Sequence, residues 1–330
     1  MGVLGTLARR GLTAIAGGWE IDGGLFVRGG IGGAPTQGNV YYLDAANGSD
    51  NNDGKAPGRA FKTLSAAEDA LTANQNDILY YLAGASSISL TSTLTWDKNY
   101  THLIGVAAPV PVATRARVFN SGNFNQLLTI SATGCVFKNL YFLQGSSTSA
   151  AVTNVTVSGE RNYFENFHFA GMGHATPAAQ SGGNSLTLTG SENLFRDCTI
   201  GLDTIVRTTN TELIFDGDAS RNTFEDCRFI SSSETTAHTH VKFTDSTAGG
   251  RWTLFKNCSF YNFSANHATV LTEVFDLPAT AVTFDVLLIN CYQYNMTEWD
   301  AGNATNLKIV GSKAGVGAAA TQAGLMEITS

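Results

Sequence analysis

Six segments of the chain share one pattern, and that pattern leaves few folds open. They are Phe137-Lys138-Asn139-Leu140-Tyr141-Phe142, Phe164-Glu165-Asn166-Phe167-His168-Phe169, Phe195-Arg196-Asp197-Cys198-Thr199-Ile200, Phe224-Glu225-Asp226-Cys227-Arg228-Phe229, Phe255-Lys256-Asn257-Cys258-Ser259-Phe260 and Leu288-Ile289-Asn290-Cys291-Tyr292-Gln293. Their Asn or Asp residues lie 27, 31, 29, 31 and 33 residues apart. A second apolar unit precedes each: Leu128-Thr129-Ile130, Val155-Thr156-Val157, Leu186-Thr187-Leu188, Leu213-Ile214-Phe215, Val241-Lys242-Phe243 and Val274-Phe275. A near-constant period of this size marks units that cannot bury an apolar face alone and must stack on their neighbours. Short β-rich runs separated by Gly, Ser, Asn and Asp make the stack a β-solenoid, not a helical repeat.

The spacing inside each unit predicts its shape. Apolar residues recur at Phe, three positions later, then two later, whereas a single strand alternates every two. The extra residue implies a corner at the Asn or Asp, the residue types that best tolerate left-handed backbone. Their side chains are expected to bond backbone amides of the next rung. The corner column therefore reads Asn139, Asn166, Asp197, Asp226, Asn257, Asn290.

Beside it run Lys138, Glu165, Arg196, Glu225 and Lys256, alternating in sign at every rung, so opposite charges should stand side by side and help fix register. The column after the corner continues from Leu140 and Phe167 into Cys198, Cys227, Cys258 and Cys291. A straight stack cannot wrap a tetrahedral ion, and in-register β-carbons keep a rung spacing too long for a disulfide. These four are read as small buried hydrophobes.

Composition narrows the function. Charged residues are 14% and hydrophobic residues 43%, which excludes a charged helical bundle and disorder. Net charge is −7, with no basic cluster to neutralise phosphates, so no nucleic-acid partner is expected. No run of 18 apolar residues occurs, so no membrane partner is expected. The start is a poor signal peptide: no positive charge precedes the apolar stretch, and Arg9-Arg10 interrupts it.

Residues 1–39 are Gly-rich and read as an extended arm. Trp19, Ile21, Leu25 and Val27 would anchor it to a partner. Residues 40–84 read as a leading segment: strand Val40–Leu43, an Asn47–Gly54 turn, and a short capping helix starting at Ser65-Ala66-Ala67-Glu68, which has capping-box spacing. Residues 85–302 form the solenoid and 303–330 a tail. The acidic turn departs from a calcium loop at Ser49 and Ala60, so a solvated turn is preferred.

The corner column resembles the asparagine ladder of the pectate-lyase-like single-stranded right-handed parallel β-helix superfamily. The stretch through Tyr41, Asp53-Gly54, Phe61-Lys62-Thr63, Ala66-Ala67 and Gly84 resembles the leading segment of phage and bacterial β-helix proteins. The resemblance implies an all-β, right-handed parallel β-helix over about residues 40–295. That superfamily holds lyases, hydrolases and non-enzymatic virion proteins, so fold alone does not assign function.

Three places could carry chemistry. Asp197 and Asp226 are neighbouring acids, the alternative catalytic pair of a tailspike-like lyase or glycoside hydrolase. A pair of that kind must flank a sugar in a groove, and these are expected to point into a corner. The superfamily's lyases imply clustered Asp with an Arg or Lys base. Asp216, Asp218 and Arg221 form one Asp-x-Asp turn, without a matching acidic cluster at Gly190-Ser191-Glu192 or Asp245. His174, His238, His240 and His267 lie in the loops after the corner strand, with no third zinc ligand assignable. Tyr141, Tyr261, Tyr292 and Trp252 are the aromatics a sugar groove would use.

The expectation is a non-enzymatic bacteriophage virion protein, a capsid decoration or tail appendage made in the host cytoplasm. It needs no cofactor or metal and joins other virion proteins, as a homotrimer, through its arm. A surface polysaccharide is the partner under the enzyme alternative.

Overall fold

The structure, a computed structural model, describes residues 12–15, 18–21 and 38–311, apart from 121, 265–267, 280–281 and 303. The chain winds as a right-handed parallel β-helix. One face, sheet A, is seven parallel strands stacked in the order Phe275–Asp276, Thr239–Phe243, Thr211–Phe215, Asn184–Leu188, Thr153–Val157, Gln126–Ile130 and Leu94–Trp96. A sixteen-stranded sheet makes the other two faces. Sheet B precedes the Asn corner and includes Leu194–Arg196, Asn222–Glu225 and Trp252–Lys256. Sheet C follows it and includes Thr199–Arg207, Arg228–Ser233 and Ser259–Asn262.

Register explains why the repeat is strict. Phe137 pairs with Phe164, Phe164 with Phe195, Phe195 with Phe224, and Phe224 with Phe255. Like side chains thus sit one rung apart, and successive rings stack at 5.1, 4.6, 4.5 and 4.8 Å. That is close to the hydrogen-bonding distance between strands, so ring stacking and backbone pairing are satisfied together. All five phenylalanines are buried.

The six corner residues all have left-handed backbone, with φ between 47° and 58°. Their side chains do not bond backbone amides of the next rung. Asn166 Nδ2 donates to Asn139 Oδ1 at 2.8 Å, Asn257 Nδ2 to Asp226 Oδ1 at 3.1 Å, and Asn290 Nδ2 to Asn257 Oδ1 at 3.5 Å. Asn139, at the start of the column, turns to backbone and donates to the Gly105 and Ala107 carbonyls. The reason is stacking itself: a like residue one rung away is nearer than any free amide.

A helix, α1 (Leu64–Asp69), packs Leu64 and Ala67 onto the core. It starts before the expected Ser65. Thr63 is its N-cap, its Oγ1 accepting from Ala66 N, and Asp50 holds Thr63 by accepting from its amide and hydroxyl. Of the two acids in the Asn47–Gly54 turn, Asp50 is thereby committed to holding backbone, and Asp53 pairs with Arg59. Stacking begins earlier than residue 85, since Val40–Leu43 pairs with Asp77–Leu82, and it continues past 302 through Leu307–Val310. One register also differs: Phe275, not Val274, sits opposite Val241. Within residues 1–39, Leu12–Ile15 and Gly18–Ile21 pair antiparallel, so this part is a hairpin, not one extended run. Its strands join neither of the large sheets.

Candidate functional site

The left-handed corner places Asp197 and Asp226 on exposed ground. They share a rung step, because Arg196 pairs with Glu225 and Thr199 with Arg228 on either side. The expectation that they point into a corner and bond backbone is corrected: both are exposed at the turn between sheets B and C. Asp226 is engaged by Asn257. Two carboxylates side by side on an outer corner do not flank a groove, which glycoside hydrolysis requires.

Next to them the charges form an outward ladder of two ion-paired groups, with Glu165 accepting from the Tyr163 hydroxyl where the two meet. Lys138 meets Glu165 at 2.8 Å, Arg196 meets Glu225 at 2.6 Å, and Lys256 meets Glu225 at 3.2 Å. The Arg196 hydrogen bond, against a smaller opposing effect of burial, holds the Glu225 carboxyl below its ordinary range. Glu225→Lys should cost about 1–2 kcal/mol at low salt and less at high salt, because exposed pairs are weak and screened. An unchanged melting temperature at low salt would show that Arg196 and Lys256 do not feel residue 225.

All four column cysteines are buried and unbridged, as is Cys135 off the column. Each column thiol lies against two carbonyls: Cys227 Sγ is 3.4 Å from Phe195 O and 3.3 Å from Glu225 O. Burial pushes the Cys227 and Cys258 thiols well above their ordinary range. The Cys258 thiol, with burial, does the same to Cys291. Native labelling by a thiol reagent should be slow and should become fast on denaturation. Rapid native labelling of Cys227 or Cys258 would contradict this packing.

The histidines are structural. His174 caps the four-residue helix Ala175–Ala178. His102 accepts from Val136 N, and His168 lies between Ala113 N and Gly201 O. His238 and His240 are fully buried, not loop-borne ligands, and no group of metal-ligating side chains occurs among the described residues. His267, Leu25 and Val27 lie outside the described residues. Trp19 and Ile21 are on the second hairpin strand. The four aromatics do not line one groove. Tyr141 is buried beneath Arg117, Tyr261 and Tyr292 contact each other on sheet C, and Trp252 belongs to sheet B.

Two arrangements escaped the sequence reading. The first is an inner asparagine ladder at the opposite edge of sheet B. Asn162 Oδ1 accepts from Cys135 N, Asn193 Oδ1 from Asn162 N, and Asn222 Oδ1 from Asn193 N, at 2.8, 2.9 and 2.9 Å. Its signal was the Asn two residues before Phe164, Phe195 and Phe224. The second is a sealed ionic group between sheets C and A. Arg207 Nε meets Glu212 Oε1 at 2.9 Å, both side chains at most 1% exposed. Arg207 also donates to the Met172 and Ala170 carbonyls, and Ser185 Oγ donates to Glu212.

One polar cleft of about 150 Å³ opens at the edge that carries the inner ladder. Glu160, Arg161, Ser191, Glu192, Asp218, Ser220, Arg221 and Arg251 line it. Glu192 pairs with both Arg161 and Arg221. Asp216 is separately bonded by Thr244, so the Asp-x-Asp turn does not converge with Arg221 on one point. The cleft is a run of alternating charges on successive rungs, suited to electrostatic contact with another surface.

No family model matches the chain, and no curated protein matches it by sequence. Solved structures do. The chain is similar to the pectin methylesterase from Aspergillus niger in deglycosylated form, with 16% identity and a TM-score of 0.55, covering 85% of this chain and 88% of that one. It is also similar to pectate lyase Pel9A (13% identity, TM-score 0.47, covering 82% and 78%) and to ORF18 of Geobacillus virus E2 (14%, 0.44, covering 72% and 50%). At these identities the likeness is one of fold. The chain has the right-handed parallel β-helix fold.

Proposed function

We propose that this chain is a non-enzymatic bacteriophage virion structural protein, a capsid decoration or tail appendage, attached through residues 1–39 to other virion proteins. The observation that carries this reading is how the chain uses its acids. Asp197 and Asp226 stand on a convex corner, Glu165 and Glu225 are tied into ion pairs, and Glu212 is sealed against Arg207. Acids committed to register and rigidity suit a rod that bears load. The Leu12–Ile21 hairpin supports the attachment, since it pairs within itself and leaves both large sheets complete without it. A two-stranded hairpin is marginal alone and gains most from a partner surface. No helix among the described residues is long and apolar enough to cross a membrane.

The test is truncation. A copy lacking residues 1–36, expressed during infection, should remain folded and soluble yet be missing from purified particles. Full incorporation would remove the arm as anchor. Release of sugar from host polysaccharide by the purified chain, lost in Asp197→Asn or Asp226→Asn, would replace the structural reading with the enzymatic one.

A further inference from the structure

Sheet B carries a charge checkerboard. One edge bears Lys138, Glu165, Arg196 and Glu225 on successive rungs. The opposite edge bears Arg161, Glu192 and Arg221, each left-handed at φ 54°, 61° and 57°. Gly134 fills the same position one rung earlier, at φ 71°. Arg and Glu in this backbone are disfavoured where Gly is not, so the charges are kept against a conformational cost. On three successive rungs the two edges differ in sign: Arg161 with Glu165, Glu192 with Arg196, Arg221 with Glu225. Between them runs a half-buried row, Tyr163, Leu194, Thr223, Leu254 and Leu287, which nothing in the described residues covers.

We propose that sheet B is the face on which a second copy of this chain docks, parallel and rung against rung. Rotation about an axis parallel to the rod brings the Arg161 edge of one copy to the Glu165 edge of its neighbour at the same height. Each of these three rungs then sets plus against minus. An antiparallel copy centred on the Leu194 rung instead sets Arg161 against Arg221 and Glu192 against its own counterpart. The checkerboard therefore selects orientation as well as partner, which is what complementary charge does best at an interface. About ten strands at about 4.8 Å, by about five residues of width, give roughly 800 Å² per copy, the size of a standard interface. The inference rests on this geometry and not on the virion reading, so either can fail alone.

The experiment is a charge swap on the full chain, read by sedimentation equilibrium, with circular dichroism melts to establish folding. The wild type should be oligomeric at micromolar concentration. Glu225→Lys sets a positive charge at position 225 of one copy against Arg221 of the next and should weaken association about tenfold or more. Adding Arg221→Glu should restore it, although it mends no contact within one chain, where Arg196 and Lys256 still flank residue 225. A monomeric wild type, an unaffected single variant or an unrestored double variant would each overturn the proposal. Thr223→Cys gives an independent reading, since it sits mid-row while the native cysteines are buried. Oxidation should join residue 223 to residue 223 across copies, and failure to cross-link would also overturn it.

Discussion

Glu212→Ala should cost about 3–5 kcal/mol, the penalty for stranding a buried charge. Arg207 is fully enclosed, and its Nε faces Glu212 Oε1 at 2.9 Å. Removing the carboxylate leaves the guanidinium with the carbonyls of Met172 and Ala170 alone, and deprives Ser185 Oγ of its acceptor. The double change Arg207→Met with Glu212→Leu should be far milder, because it removes both charges and fills the space. The damage should be local. Coils in a solenoid touch only their neighbours, so amide exchange should rise first in Asn184–Leu188, Thr211–Phe215 and Thr239–Phe243. A loss below about 1 kcal/mol would mean that water reaches Arg207 and that the site is not sealed.

That ionic group also shows where sequence reading stops. The repeat, the left-handed Asn column, the Phe stack and the cysteine column were legible because each occupies a fixed offset in a near-constant period. Glu212 has such an offset too: it precedes Leu213 as Asn154 precedes Val155, Ser185 precedes Leu186 and His240 precedes Val241. Strand alternation assigns these residues outward, since the next residue faces the core. At the bend between sheets C and A two consecutive residues turn inward, and all four are buried. Pattern gives the column, but only the bend gives its direction. The second charged edge was hidden differently. Arg161, Glu192 and Arg221 each lie five residues before a corner Asn or Asp, a signal diluted by Gly134 and Trp252 at the same offset. The helix start moved from Ser65 to Thr63 because Asp50, distant in sequence, fixes Thr63.

Acid should unfold this protein steeply, driven by buried histidines as well as by the loss of carboxylates. Burial, helped by Arg207, pushes His238 from 6.5 to about 3; burial, helped by His238, takes His240 to about 3. Burial takes His168 to about 4 against the opposing effect of its hydrogen bond with the Gly201 carbonyl. Their folded values lie below their unfolded ones, so the unfolded chain binds protons the folded chain refuses. Stability is therefore full above pH 6.5 and falls as pH drops towards 3–4. Three such groups give a slope near 4 kcal/mol per pH unit, at about 1.4 for each. Burial lowers His102 to about 4, adding to the slope, while burial raises Glu273 to about 7, opposing it, because protonated Glu273 favours the folded state at low pH. A typical stability of about 5–15 kcal/mol is then exhausted within roughly one to four units below about pH 6.5. Tryptophan fluorescence and circular dichroism followed from about pH 8 to about pH 2 should show the transition between about pH 2.5 and 5.5. His240→Leu sharpens the test. Neither ring nitrogen of His240 has a hydrogen-bond partner, and the ring packs against Phe229 and Phe260, so an apolar replacement loses little near neutral pH. It should move the transition to lower pH and reduce its slope by about one proton. A wild type unchanged down to about pH 2.5, or a His240→Leu profile that overlays the wild type, would show that these imidazoles are not held neutral by the fold.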